Sequence, residues 1–350
     1  MRETVPDGAR ELRYHGGNIN TARRLFPDAP EPWIDLSTGI NPVPYPVGAI
    51  PPSAWTRLPA PAELAELEAA AHAAYGAEPP TGIAAAPGTQ ALIQWLPRIF
   101  PARRVGILGF TYKEHETSWR ATGAEVTAVS TLPELAAFDA GVVVNPNNPD
   151  GRIVAPTDMA HIAGTLARRG GRLIVDEAFI DVFGRHSSLI PRLPSAGAIV
   201  LRSFGKAYGL AGLRLGFAAG SSEDCARLRD AIGPWAVSGP AIEIGRRALA
   251  DEAWLADAVA RLRQEADRLD RLLQSAGCDI AGGTALFRLA QHDAAPALFE
   301  QLCRAGILTR PFQARPGLLR FGIPHAPAEW TRLEAALHQG GWTYASGPKG

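Results

Sequence analysis

From residue 61 to about 235, short apolar runs alternate with stretches whose apolar positions recur at the three- to four-residue spacing of a buried helix face. The runs at 83–86, 105–108, 126–129, 141–144, 173–175, 198–201 and 213–218 read as strands. The segments at 63–75, 89–100, 113–122 and 156–169 read as helices, the last opening on Pro156-Thr157-Asp158 and closing at Gly170-Gly171. Alternation of this kind predicts an α/β fold, a mainly parallel sheet covered on both faces. Beyond about 235 the pattern changes. After a helix at 222–232, a helix at 239–276, broken around Asp251, leads to strands near 284–290, 307–309 and 318–321 and helices near 294–305 and 327–339. We therefore expect a large domain over 61–235 and a smaller α+β domain over 236–350. Residues 1–60 carry Pro42, Pro44, Pro46, Pro51 and Pro52 in close succession, which predicts a mostly irregular arm that wraps over other parts of the chain.

Composition narrows the partners. A chain of 350 residues exceeds one ordinary core, and 46% hydrophobic content can fill two. Lys plus Arg and Asp plus Glu balance at 35 each, so no global field favours nucleic acid or an anionic membrane surface, and any anionic ligand must be held by local groups. Cys225, Cys278 and Cys303 are odd in number and widely spaced, which fits reduced thiols in a cytoplasmic protein and neither a disulfide framework nor a zinc site. The first twenty residues lack the apolar stretch of a signal peptide, and no run approaches the roughly 20 residues that span a bilayer.

Only three of the 35 basic residues are lysines: Lys113, Lys206 and Lys349. Where positive charge alone is needed arginine serves equally, but a Schiff base requires a primary amine that can lose its proton, which a guanidinium is not. Lys206 lies in Ser203-Phe204-Gly205-Lys206-Ala207-Tyr208-Gly209, with Arg214 eight residues on. A lysine in a Gly-rich stretch is commonly a solvated loop residue, but Ser203 and Arg214 add a hydroxyl and a bidentate cation able to grip a phosphate. An amine beside a phosphate cradle suggests pyridoxal phosphate. Two further segments end apolar runs with polar groups, where open α/β sheets place ligands. Val142-Val143-Val144 runs into Asn145-Pro146-Asn147-Asn148-Pro149, and Leu173-Ile174-Val175 ends in Asp176-Glu177-Ala178-Phe179. Gly88-Thr89-Gln90 opens a helix after the run at 83–86, and free N–H groups at a helix start suit a phosphate.

These pieces, in this order and spacing, resemble the fold-type I pyridoxal-phosphate enzymes of the aspartate aminotransferase superfamily over nearly the whole chain. The resemblance implies that Lys206 forms the Schiff base, that Asp176 pairs with the pyridine nitrogen and that Asn148 hydrogen-bonds the ring hydroxyl. It further implies that Gly88, Thr89, Gln90, Ser203 and Arg214 hold the cofactor phosphate and that Tyr112, in Phe110-Thr111-Tyr112, stacks on the ring. A homodimer is expected on the same basis. Two departures stand against an ordinary transaminase. Phe179 occupies a position where many relatives carry tyrosine, and Arg57-Leu58-Pro59 replaces the usual Arg-Tyr-Pro.

The arm discriminates further. His15-Gly16-Gly17-Asn18 and Asn41-Pro42, with Thr111-Tyr112-Lys113-Glu114-His115, Phe179 and Ile307-Leu308-Thr309-Arg310-Pro311-Phe312, resemble the L-threonine-O-3-phosphate decarboxylases of cobalamin biosynthesis. The resemblance implies a small phosphorylated amino-acid substrate, with His15, Gly16, Asn41, Asn148 and Arg310 around it and Arg320 on its α-carboxylate. An aminotransferase for histidinol phosphate or a similar amine is the alternative, since it would use nearly the same residues. A cofactor-binding module without activity is the alternative from another class, disfavoured by the presence of Lys206, Asp176 and Arg320 together.

Overall fold

The computed structural model describes Leu12, residues 16–193 and residues 197–339. These form two compact units: Pro44–Ala258, and the described residues up to Val43 with those from Val259 onward. The chain's first strand, β1 (Ile34–Asp35), belongs to the second of these.

Within Pro44–Ala258 seven strands form one sheet: β2 (Thr81–Ala86), β3 (Arg104–Leu108), β4 (Glu125–Val129), β5 (Ala140–Val144), β6 (Arg172–Asp176), β7 (Ala198–Ser203) and β8 (Gly216–Ser221), in the order β2-β8-β7-β6-β5-β3-β4. Strands β4, β3, β5, β6 and β7 are parallel, while β8 runs antiparallel to both β7 and β2. The reason lies in the connection: between β7 and β8 the chain makes only the one-turn helix Phe204–Ala207 and a short 3-10 turn, with no crossover helix to bring it round in parallel. Because strand side chains alternate, each central strand feeds two cores. Val143, Val175 and Val200 pack with Leu67, Met159 and Ile242 on one face, and Val142, Ile174 and Ile199 with Leu92, Leu96 and Leu228 on the other. Strand β8 begins later than its apolar run, because Leu213 closes the 3-10 turn and Arg214 is left-handed at φ 54°.

In the other unit β1 pairs in parallel with β11 (Ile307–Leu308). A four-stranded antiparallel sheet has the order β12 (Arg310–Pro311), β13 (Leu318–Gly322), β10 (Phe287–Gln291) and β9 (Asp279–Thr284). The arm is less irregular than its composition suggests. Asn18 caps a helix, Ile19–Leu25, by accepting the Thr21 N–H at 3.2 Å, and residues 34–36 hydrogen-bond along β11. The expected break at Asp251 separates the helices Gly239–Ala250 and Glu252–Ser275, where the Asp251 carboxylate accepts the Trp254 N–H at 3.0 Å.

Candidate active site

Strands β2, β3, β5, β6 and β7 run in one direction, so their carboxyl ends share one edge of the sheet. That edge carries Gly88-Thr89-Gln90 after β2, Tyr112 after β3, Asn148 after β5, Asp176 ending β6, and Ser203 ending β7 before Lys206. The topology thus places these residues along the side where open α/β sheets bind ligands.

Asp176 is buried and held from two directions. Its Oδ2 lies 2.9 Å from Nε2 of buried His115, and its Oδ1 accepts the Ala178 N–H at 3.1 Å. A carboxylate can only accept, so His115 Nε2 carries the hydrogen. Two buried groups that satisfy each other avoid the penalty of an unpaired buried charge and fix the carboxylate's direction.

At the other end of the edge, Gly88 caps the helix Thr89–Ile99 with φ 86° and ψ 158°, a conformation open to glycine. A Cβ there would stand 2.8 Å from Arg214 Nη2, and one on Gly216 would stand 2.7 Å from the Thr89 nitrogen. Glycine at both positions lets the Arg214 guanidinium and the start of β8 close onto the helix N-terminus. Arg214 also donates from Nη1 to the Ala211 carbonyl at 3.1 Å. In the first turn of that helix the Gln90 amide donates to Glu114 Oε2 at 3.0 Å and accepts from the Tyr112 hydroxyl at 3.1 Å.

Lys206 is half-buried, with Nζ 5.6 Å from the ring centroid of buried Phe179. Its turn is clamped by aromatic packing. Tyr208 stacks on Phe204 at 4.4 Å and on Trp254 at 5.7 Å, and its carbonyl accepts the Tyr45 N–H at 2.9 Å. Burial pushes the Tyr208 phenol well up, so it remains a neutral packing group. Gly205 permits the turn to fold back, since a Cβ there would lie 2.7 Å from the Ala211 Cα.

Of the residues expected around the substrate, Gly16, Asn41, Arg310 and Arg320 lie in the unit that combines the arm with the C-terminal part, and Asn148 lies in Pro44–Ala258. Buried Arg320 donates from Nη2 to the Ser37 carbonyl at 2.8 Å, and a Cβ on Gly16 would stand 2.4 Å from that same carbonyl oxygen. Gly17 N–H donates to Ser37 Oγ at 2.7 Å, so the Gly16-Gly17 pair is seated against the bend that follows β1, beside Arg320. Arg310 and Arg320 are direct cross-strand partners in the antiparallel β12–β13 pair, which puts both side chains on one face. Asn41 is buried, and its Oδ1 accepts from Val43 N–H at 3.0 Å and Arg261 Nη2 at 2.9 Å; it braces the arm's turn. His15 lies outside the described residues.

Sequence reasoning assigned no role to His115, Glu114, Ser37 or Arg261. A signal for the first was present: His115, Ser118 and Trp119 follow helical spacing and are the buried positions of Glu114–Arg120, which makes His115 an inward polar group in need of a partner. The arm's contacts with Ser37 depend on long-range strand pairing that no local pattern encodes.

Comparison with known proteins gives a consistent picture. The family model described as aminotransferase class I and II matches residues 49–337. The chain is 44% identical over 326 residues to the threonine-phosphate decarboxylase of Pseudomonas aeruginosa, covering 92% of this chain and 96% of that protein. It is 43% identical over 332 residues to the threonine-phosphate decarboxylase of a Sinorhizobium species, covering 92% and 97%. The crystal structure of histidinol-phosphate aminotransferase from Sinorhizobium meliloti in complex with pyridoxal-5'-phosphate superposes with a TM-score of 0.81 at 21% identity, covering 96% of this chain and 97% of that one. The last likeness concerns the fold; the identities carry the family, and the chain belongs to the aminotransferase class I and II family, within it to the threonine-phosphate decarboxylases.

Proposed function

We propose that this protein uses pyridoxal phosphate to decarboxylate L-threonine O-3-phosphate to (R)-1-amino-2-propanol O-2-phosphate, a step of cobalamin biosynthesis. The observation that carries the choice of substrate is the identity of 44% to a threonine-phosphate decarboxylase along nearly the whole of both chains. The geometry supports it. Like charges directly opposite in an antiparallel pair repel, and Arg310 opposite Arg320 suits a ligand with two anionic ends, a carboxylate and a phosphate.

The Pro44–Ala258 unit also fits the cofactor. A guanidinium at the positive end of a helix is the wrong sign for the helix dipole unless an anion lies between them, and Arg214 packs against Gly88 at such an end. Gly88, Thr89, Ser203 and Arg214 would hold the phosphate, Asn148 the ring hydroxyl, Asp176 the pyridine nitrogen, and Tyr112 and Phe179 the ring. When bound, pyridoxal phosphate supplies an electron-withdrawing ring that takes up the electron pair released at the substrate Cα.

The chain's own residues then have defined tasks. Asp176, pointed by His115 and the Ala178 N–H, would face the ring nitrogen. Arg320 would grip the substrate carboxylate with its planar fork. Carbon dioxide leaves, and the Lys206 ammonium gives a proton to Cα, the carbon that has lost its carboxylate. We also infer a cytoplasmic homodimer. Trp55, Leu58 and Trp235 are exposed apolar side chains on Pro44–Ala258 of the kind a second copy covers, and the three cysteines are buried free thiols.

The test is release of carbon dioxide from L-threonine phosphate by the holoenzyme with no keto acid present. Turnover without an acceptor is expected. Release that depends on a keto acid, or faster turnover of histidinol phosphate, would make the protein an aminotransferase instead.

A further inference from the structure

We propose that Glu114 and Gln90 form a positioning relay for Tyr112 that fixes the plane of its ring and the direction of its hydroxyl hydrogen. The inference rests on the reading of Tyr112 as the ring that lies against the cofactor. It concerns two side chains whose backbones open different helices: Gln90 in the first turn of Thr89–Ile99, after β2, and Glu114 in the first turn of Glu114–Arg120, after β3.

The direction of the relay follows from donor and acceptor inventory. Glu114 Oε2 lies 3.0 Å from Gln90 Nε2, and an ionised carboxylate offers only lone pairs, so it selects the amide orientation that presents the NH2 group. That choice fixes the far end of the amide. Gln90 Oε1, an acceptor without hydrogen, is then the atom 3.1 Å from the Tyr112 hydroxyl, and the phenol must donate to it. A phenol has one hydrogen. Tyr112 therefore presents only its ring face and oxygen lone pairs to its remaining surroundings and supplies no proton to the reacting carbon, which leaves that task to Lys206.

The relay has a second consequence. The helix that begins at Thr89 carries the N-terminus packed by Arg214, and the same helix's Gln90 holds the Tyr112 ring. One side chain thus sets the spacing between the phosphate-holding end of the site and the ring-holding side. Without Glu114 the amide could turn over and place NH2 against the phenol oxygen, and the ring would lose its fixed torsion.

The experiment measures cofactor affinity by equilibrium dialysis and the visible circular dichroism of the bound cofactor, in holoenzyme variants. Gln90→Leu and Tyr112→Phe are each expected to weaken cofactor binding about fivefold, the loss of one neutral hydrogen bond. Because both remove the same bond, the double variant should be no weaker than either one, and all three should reduce the dichroic band alike. Glu114→Gln keeps a carbonyl acceptor and should stay close to the unaltered protein, whereas Glu114→Leu should match Gln90→Leu. Losses that multiply to about 25-fold in the double variant, or a Gln90→Leu protein with unaltered affinity and band, would overturn the relay. Tyr112→Ala separates the two levels. If it leaves band and affinity unchanged, Tyr112 does not touch the cofactor and the relay falls with that reading. If it weakens both while Gln90→Leu and Tyr112→Phe do not, the stacking stands and the relay alone fails.

Discussion

Glu177, the residue after Asp176, offers a test of how the sheet edge is supported from below. Its carboxyl is fully buried and sits in a small polar cluster: Ser188 Oγ donates to Oε2 at 2.5 Å, the Leu189 N–H donates to Oε1 at 2.7 Å, and Arg202 Nη1 stands 3.9 Å from Oε2. Arg202 is also paired with Asp181 and lies 4.0 Å from the ring centroid of Tyr75. Burial pushes Glu177 from its ordinary 4.5 up to about 7, with Arg202 and the hydrogen bonds opposing and Asp181 adding to the rise. Between those two values the folded protein holds a proton that the unfolded chain has released, so stability falls as pH rises through that window and levels off above it. The gap from 4.5 to about 7, at about 1.4 kcal/mol per pH unit, amounts to about 3 kcal/mol. Glu177→Gln keeps the carbonyl that accepts from Leu189 and removes the titrating charge, at the cost of one rearranged hydrogen bond worth about 1 kcal/mol. Guanidinium unfolding of the holoprotein, compared for the two forms from pH 4.5 to 8.5, should show similar stability at the acid end. Toward pH 8 the variant should gain by an amount approaching the full window. Arg202, Asp181 and Tyr75 are common to both proteins, so the difference isolates Glu177. Two curves that stay parallel across the range would refute the argument.

Three further outcomes follow from the site. His115→Leu strips one charge-assisted hydrogen bond from buried Asp176, worth about 1.5–3 kcal/mol, so kcat should fall roughly ten- to hundredfold while cofactor stays bound; steady-state kinetics and the cofactor absorbance check both halves. Gly88→Ala forces a side chain into φ 86° and sets its Cβ 2.8 Å from Arg214 Nη2, a strain of about 1–3 kcal/mol that dialysis should register as weaker cofactor binding. Arg320→Lys keeps the charge but loses the planar fork, so KM for threonine phosphate should rise about tenfold or more with a smaller change in kcat.

The large sheet was legible in the sequence because its central strands β5, β6 and β7 are buried almost throughout, which makes each apolar run stand out. Asp176 was legible for a related reason, as a polar group at the end of an apolar run, and Lys206 because lysine is scarce in this chain, with Ser203 and Arg214 near it. Strand β9 was not, since Asp279-Ile280-Ala281-Gly282-Gly283-Thr284 has neither alternation nor β-branched density, and Gly282 and Gly283 take φ values of 146° and 140°. The arm's prolines predict a mostly irregular segment, yet Asn18 caps a helix and residues 34–36 find β11 far along the chain. The His115–Asp176 pair spans 61 residues, and the Gln90–Tyr112 bond 22. Contacts at such separations are set by strand order, which local periodicity does not contain.

The central claim is that Lys206 protonates the carbon that has lost carbon dioxide, and turnover of L-threonine phosphate in deuterium oxide tests it most directly, with mass spectrometry of product and remaining substrate after return to ordinary water. The account predicts aminopropanol phosphate carrying one deuterium on the former Cα, unlabelled remaining substrate, and no product from Lys206→Ala. Threonine phosphate that gains deuterium at Cα without losing carbon dioxide, or a keto product, would show that the enzyme breaks the Cα–H bond and would contradict it.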